Sequence, residues 1–216
     1  MKTLTTKPQT TKIRLKDAER EGIGLLLNRC FKPGHLYVVE KVPNLVSSLV
    51  YNIHWPTIAF SLNKSTSGFL QNIIASEAES EMEKLCAIGK KRSQSNWDEL
   101  SAMMTIQKAK ALDKVPLWVD DEATNLSVSQ IGDRCLLFKQ EHDVKMALID
   151  DIGHVCVPNS SLFELSEYEC TDKTRPLLDL LAKELDIIIV ALCYPYRTRK
   201  CYSHRQNKYV TMESFD

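Results

Sequence analysis

Short apolar runs alternate along the chain with longer stretches of three- and four-residue apolar spacing. The runs at Leu36–Val39, Thr57–Ser61, Pro116–Val119, Met146–Asp150 and Ile187–Leu192 predict β-strands. The last, with Asp186 in front, reads DIIIVAL and is almost continuously apolar, as a strand covered on both faces should be. Between the runs, Ser67–Ala78 places Leu70, Ile73, Ile74 and Ala78 on one side of a helix, and Asn96–Ala111 carries Leu100, Met103, Met104 and Ala111. Ser127–His142 opens on a capping serine and spaces Val128, Ile131, Cys135 and Phe138 at helical steps. Thr174–Leu185 has Pro176 in its expected first turn and Leu177, Leu178, Leu181 and Leu185 inside.

Strands alternating with helices of this length predict an α/β fold, a mainly parallel central sheet with right-handed crossovers and helices on its faces. Residues 157–175 are the longest break between elements and are expected to form a loop. The chain divides into a polar arm (1–15), one α/β domain (16–193) and a basic, aromatic tail (194–216).

Composition narrows the class further. The 216 residues suffice for one large core, and 44% hydrophobic with 26% charged is ordinary for a globular domain. Lys+Arg and Asp+Glu both number 28, so no global basic charge advertises a nucleic-acid partner, although a local patch is compatible with this balance. Seven cysteines, an odd number without C-x-x-C or Cys/His zinc spacing, fit free thiols in a reduced, cytoplasmic compartment. The first 16 residues are rich in Thr and Lys with no apolar core, unlike a signal peptide, and no apolar run is long enough for a membrane span.

Six segments, in order, resemble the C-terminal motor domain of DnaB-type replicative helicases. They are FKPGHLYVVEKVPN (31–44), IAFSL (58–62), IIASEAE (73–79), NWDEL with VPLWVDD (96–121), LSVSQI with FKQEHDVKMALIDD (126–151) and LLDLLAKELDIIIVAL (177–192). The resemblance implies a RecA-like fold of the P-loop NTPase class, with ATP and Mg²⁺ as the family's cofactors and DNA unwinding as its activity. On this resemblance, the family's N-terminal collar is not expected before the first strand, and the later segments that supply an arginine finger and DNA-contacting elements are expected to be absent or fragmentary.

Mapped onto this chain, the family's chemistry is depleted. A phosphate loop needs glycines that turn backbone N–H groups onto the phosphates, a Lys for the β/γ-phosphates and a hydroxyl for Mg²⁺. Aligned on Pro43, its last Gly falls at Val46, its Lys at Ser47 and its hydroxyl residue at Ser48; only Ser48 keeps the family's chemistry. A β-branched Val46 is expected to resist positive φ and close backbone approach. Each charge-assisted hydrogen bond lost is worth about 1.5–3 kcal/mol. At about 1.4 kcal/mol per decade, losing the Lys and two amides weakens nucleotide binding by about 10³-fold or more. The glutamate that activates water is replaced by Asn63, whose amide has no useful basicity; a plain turn residue is the competing reading. Asp150 matches the Walker B aspartate, either as a relic with structural duties or as a live metal contact. His154 follows where the family carries a glutamine-containing loop and reads most simply as a loop histidine.

No catalytic residue, metal or cofactor is therefore expected, with ATP and Mg²⁺ relevant only if Lys41 or Lys64 replaces the missing lysine. The tail holds Tyr194, Tyr196, Arg197, Arg199, Lys200 and Arg205, cations interleaved with rings that suit single-stranded nucleic acid; a solvated basic tail is the alternative. Two partner classes remain open: self-association or a replicative-helicase subunit through protein contacts, and single-stranded DNA through the tail.

Overall fold

The computed structural model describes residues 31–40, 45–62, 64–87, 94–121, 126–156, 167–193, 200–203 and 208–211. Gly34 turns the chain into the first strand at φ 75°, and its N–H donates to the Ile187 carbonyl at 3.0 Å. The elements then run β1 (His35–Glu40), α1 (Leu45–Ile53), β2 (Thr57–Phe60), α2 (Thr66–Ala87), α3 (Gln94–Leu112), β3 (Leu117–Asp120), α4 (Val128–His142) and β4 (Met146–Ile149). A 3₁₀ turn (Ile152–His154), α5 (Glu167–Leu185), β5 (Ile188–Cys193) and the hairpin strands β6 (Lys200–Ser203) and β7 (Lys208–Thr211) follow. The first five strands form one all-parallel sheet in the order β1-β5-β4-β2-β3, and β6 and β7 pair antiparallel.

The sheet is the interior of the protein. Along β2, β4 and β5 successive side chains enter two different cores. Ile58, Phe60, Ala147, Ile149, Ile189 and Ala191 meet α4 and α5 through Val128, Ile131, Cys135, Leu178 and Ala182. Ala59, Met146, Leu148, Ile188, Val190 and Leu192 meet α1, α2 and α3 through Leu45, Leu49, Phe69, Ile73 and Leu112. A strand buried on both faces has no polar positions to spare, which is why these segments read as apolar runs. Burial pushes the Cys135 thiol up to about 12, with the nearby Asp120 charge adding to the effect, so it behaves as a small hydrophobe.

All five expected strands are present to within a residue or so at each end. The cap at Ser127 is a full capping box: its hydroxyl accepts from the Gln130 N–H and its own N–H donates to Gln130 Oε1 at 2.9 Å. Three expectations are corrected. Helices α2 and α5 run longer than their apolar spacing indicated. Pro176 lies inside α5 rather than in its first turn; burial of Leu178 and Ala182 holds the helix through the missing N–H. Residues 167–175 are thus helical, not loop, and 157–166, like the 1–15 arm, lie outside the described residues.

Replacing Ser127 with alanine removes the hydroxyl that accepts the Gln130 N–H and leaves the backbone donor to Gln130 Oε1 in place. Urea denaturation is expected to show a loss of about 1 kcal/mol with an unchanged m-value.

Candidate functional site

The carboxyl ends of β1, β5, β4, β2 and β3 form one edge, where ligands bind in open parallel α/β sheets. Asp150 directly follows β4 and Asp120 ends β3, with Ser61 and Leu62 beyond β2 between them. Asp150 is buried, and its Oδ1 accepts the Leu62 backbone N–H at 3.0 Å. Its own N–H donates to the Phe60 carbonyl at 3.2 Å. The carboxylate therefore ties the ends of two neighbouring strands and satisfies a buried donor.

Its acidic neighbours are engaged in the same way. Asp151 caps the 3₁₀ turn, with Oδ1 accepting from the Gly153 N–H at 2.9 Å and Oδ2 lying 3.0 Å from His154 Nδ1. Asp120 pairs with Arg134 of α4. Asp121 accepts the Thr66 N–H at 2.5 Å and so caps α2 from across the sheet. That backbone hydrogen bond, with the Thr66 hydroxyl beside it, holds the Asp121 carboxyl below its ordinary value. No group of three or more His, Cys, Asp or Glu poised to hold a metal occurs among the described residues.

The expected loop through positions 46–48 is instead the first turn of α1. Leu45, Leu49 and Val50 space the buried face, and with no glycine in the segment nothing interrupts the helix. Val46 is half-buried against the α1–α3 core, and it is not among the described residues with positive φ. The steric objection based on positive φ therefore does not apply to it, and residues 41–44 before the helix lie outside the described residues. Ser47, at the position the resemblance gives to the phosphate-binding lysine, is only 1% exposed, with its hydroxyl 3.4 Å from that of Ser76 on α2. Ser48 is half-buried, its carbonyl accepting from the Asn52 amide at 2.8 Å. Position 47 thus points into the packing against α2.

A second polar knot, missed in the sequence, fastens the same helix. Lys108 of α3 lies 2.7 Å from Glu81 and 3.6 Å from Glu77, both on α2. The Tyr51 hydroxyl of α1 donates to the Lys108 carbonyl at 2.9 Å. Burial, together with the Glu77 charge, pushes the Tyr51 phenol up to about 12. The four-residue spacing of Glu77 and Glu81 was visible; their partner 27 residues beyond Glu81 was not.

The chain matches the family model described as DnaB-like helicase C terminal domain over residues 40–210. It belongs to the DnaB-like helicase C-terminal domain family. The replicative DNA helicase DnaB of Leifsonia xyli subsp. xyli is 28% identical over 137 residues, covering 63% of this chain and 28% of the relative. The DnaB of Nostoc sp. is 28% identical over 153 residues, 69% of this chain and 16% of the relative. The chain thus spans less than a third of either helicase. Among solved structures, an isolated ATPase domain superposes with a TM-score of 0.56 at 12% identity, covering 84% of this chain and 71% of that one. A DnaB-like replicative helicase, whose structure was described with its interactions with primase, gives 0.54 at 14% identity, covering 76% and 40%. These likenesses establish the RecA-like fold.

Against the DnaB-like pattern, Val46, Ser47, Ser48 and Asp150 are all placed: the Ser47 hydroxyl faces Ser76, and one Asp150 oxygen accepts the Leu62 N–H. Pro43, Lys41, Asn63, Tyr194, Tyr196, Arg197, Arg199 and Arg205 lie outside the described residues, and Lys200 begins β6. Lys64 is exposed, and its carbonyl accepts the Ser61 hydroxyl at 2.8 Å. No helix among the described residues is long and apolar enough to cross a membrane.

Asp150→Ala strands the buried Leu62 N–H. A stability loss of about 1–3 kcal/mol is expected in chemical denaturation, whereas Asp150→Asn, which keeps an acceptor oxygen, should lose less than half as much.

Proposed function

We propose that this chain is a DnaB-like domain that keeps the RecA-like fold without hydrolysing ATP, and that it acts in DNA replication through protein contacts. The contact is made with a replicative-helicase subunit or with a second copy of the chain. One observation carries the reading: position 47, where the family's lysine would neutralise phosphate charge, holds a serine buried against Ser76. The Asp150 carboxylate supports it, since one of its oxygens is committed to a buried backbone N–H that ties β4 to the end of β2. With Asn63 at the place of the water-activating glutamate, about 10²–10⁴-fold in rate is lost on that count alone. The domain accordingly needs no nucleotide, metal or other cofactor.

An ATP titration and a phosphate-release assay at millimolar Mg²⁺ test the proposal. Neither saturable micromolar binding nor turnover above background is expected. Saturable binding that disappears in Lys41→Ala or Lys64→Ala would reinstate the ATPase reading, and a pull-down against the replicative helicase reads the contact directly.

A second reading, single-stranded nucleic acid held by the C-terminal segment, is favoured by the hairpin register. Tyr202 pairs with Tyr209, and Lys200 with Thr211, which puts residues 200, 202, 209 and 211 at register positions of one face of the ribbon. Rings at adjacent cross-strand positions suit base stacking, and the lysines suit phosphate. Fluorescence anisotropy with an oligo-dT strand is expected to show binding that weakens with salt and is lost in Tyr202→Ala/Tyr209→Ala. Absence of binding at low salt removes this reading.

A further inference from the structure

We infer that the run Ile-Gly-Leu-Leu-Leu at 23–27 docks in cis on an apolar patch of α4 and α5, closing that face of the domain. The two helices lie side by side, with Gly132 of α4 meeting Leu181 of α5 and the Lys139 ammonium donating to the Leu185 carbonyl. Each helix leaves two leucines exposed: Leu136 and Leu137 on α4, Leu177 and Leu180 on α5. Among the described residues the other exposed large apolar side chains are Met103 and Ile106, both on α3. Four aliphatic side chains on adjoining helices form the kind of surface that marks a contact.

The point at which the chain enters the fold selects the occupant. Phe31 is buried with its ring centroid 4.5 Å from that of Tyr37, and the Lys32 N–H donates to the Tyr37 hydroxyl at 2.9 Å. Gly34 then passes the last turn of α5: a side-chain carbon there would lie 3.8 Å from both the Lys183 Cα and an Asp186 carboxylate oxygen. Leu180 stands about one turn before Lys183 on the same flank, and Leu177 about one turn before that. From Lys183 back to Leu177 is about 9 Å along the helix. Residues 27 to 23 precede Phe31 by four to eight positions, a reach of roughly 13–27 Å when extended. The run therefore reaches the leucines with slack. Met103 and Ile106 do not compete, because α3 leads into β3 at the far edge of the sheet. That edge is four strand spacings from β1, or about 19 Å, before the height of the helices is counted. The run carries no charge, so it covers aliphatic surface without burying an unpaired ion. Its tether at Phe31 gives an effective concentration on the order of millimolar, which a free partner has to exceed.

This contact goes beyond the proposed function and holds whether or not the domain hydrolyses ATP. Hydrogen exchange of the full chain, read by mass spectrometry, tests it. Peptides containing residues 23–27 are expected to be protected. Leu137→Asp/Leu180→Asp should speed their exchange about tenfold or more, while peptides from β2, β4 and β5 keep their protection and so report an intact fold. Met103→Asp/Ile106→Asp is expected to leave residues 23–27 as in the parent. The reciprocal variant Leu25→Asp/Leu26→Asp uncovers the leucines of α4 and α5, and should bind the dye ANS more strongly than the parent. Residues 23–27 exchanging like an unstructured peptide in the parent, protection that survives the α4/α5 variant or is lost in the α3 variant, or an unchanged dye signal would overturn the inference. Protection that falls on dilution would place the run on a second copy and overturn it as well.

Discussion

The covering of the sheet on both faces constrains everything else in this protein. Strands β2, β4 and most of β5 contribute side chains alternately to two cores and retain no solvated face. Where such strands end, backbone donors emerge into a region with little water, and each needs a protein acceptor. The Asp150 carboxylate takes the Leu62 N–H and the Asp120 carbonyl takes the Ser61 N–H at 2.9 Å. The polar edge of the sheet is held together by the residue types that a nucleotide-hydrolysing member of the family would direct outward.

A carboxylate at the end of a doubly buried strand can thus serve the fold itself. An aspartate at the end of β4 is compatible with two duties, closing a strand junction or orienting a cation, and the first does not depend on any ligand. Likewise Asp121 stabilises α2 by accepting at its N-terminus, where the helix dipole favours negative charge. Selection for folding alone is enough to keep such carboxylates in place.

Much of the fold was legible because it is periodic. Apolar runs marked the doubly buried strands, and the Ser127 cap marked the start of α4. Two features escaped for physical reasons. The resemblance assigns positions 46–48 to the end of a phosphate loop, whereas Leu45, Leu49 and Val50 have the spacing of a buried helix face. The contacts that define the site pair residues far apart, 88 positions for Asp150 with Leu62 and 55 for Asp121 with Thr66, and local periodicity carries no information about them. The identities at 46, 47, 48 and 150 were visible in sequence; the inward orientation of position 47 was a matter of packing.

That orientation limits which side chains position 47 can carry. Because α1 presents position 47 to α2, and Tyr51 fixes the helix further along through Lys108, a lysine placed there would bury an ammonium between helices rather than extend it toward solvent. A small hydroxyl fits that interface where a long cation does not, so the side chain that position 47 can carry is coupled to Ser76 on the facing helix.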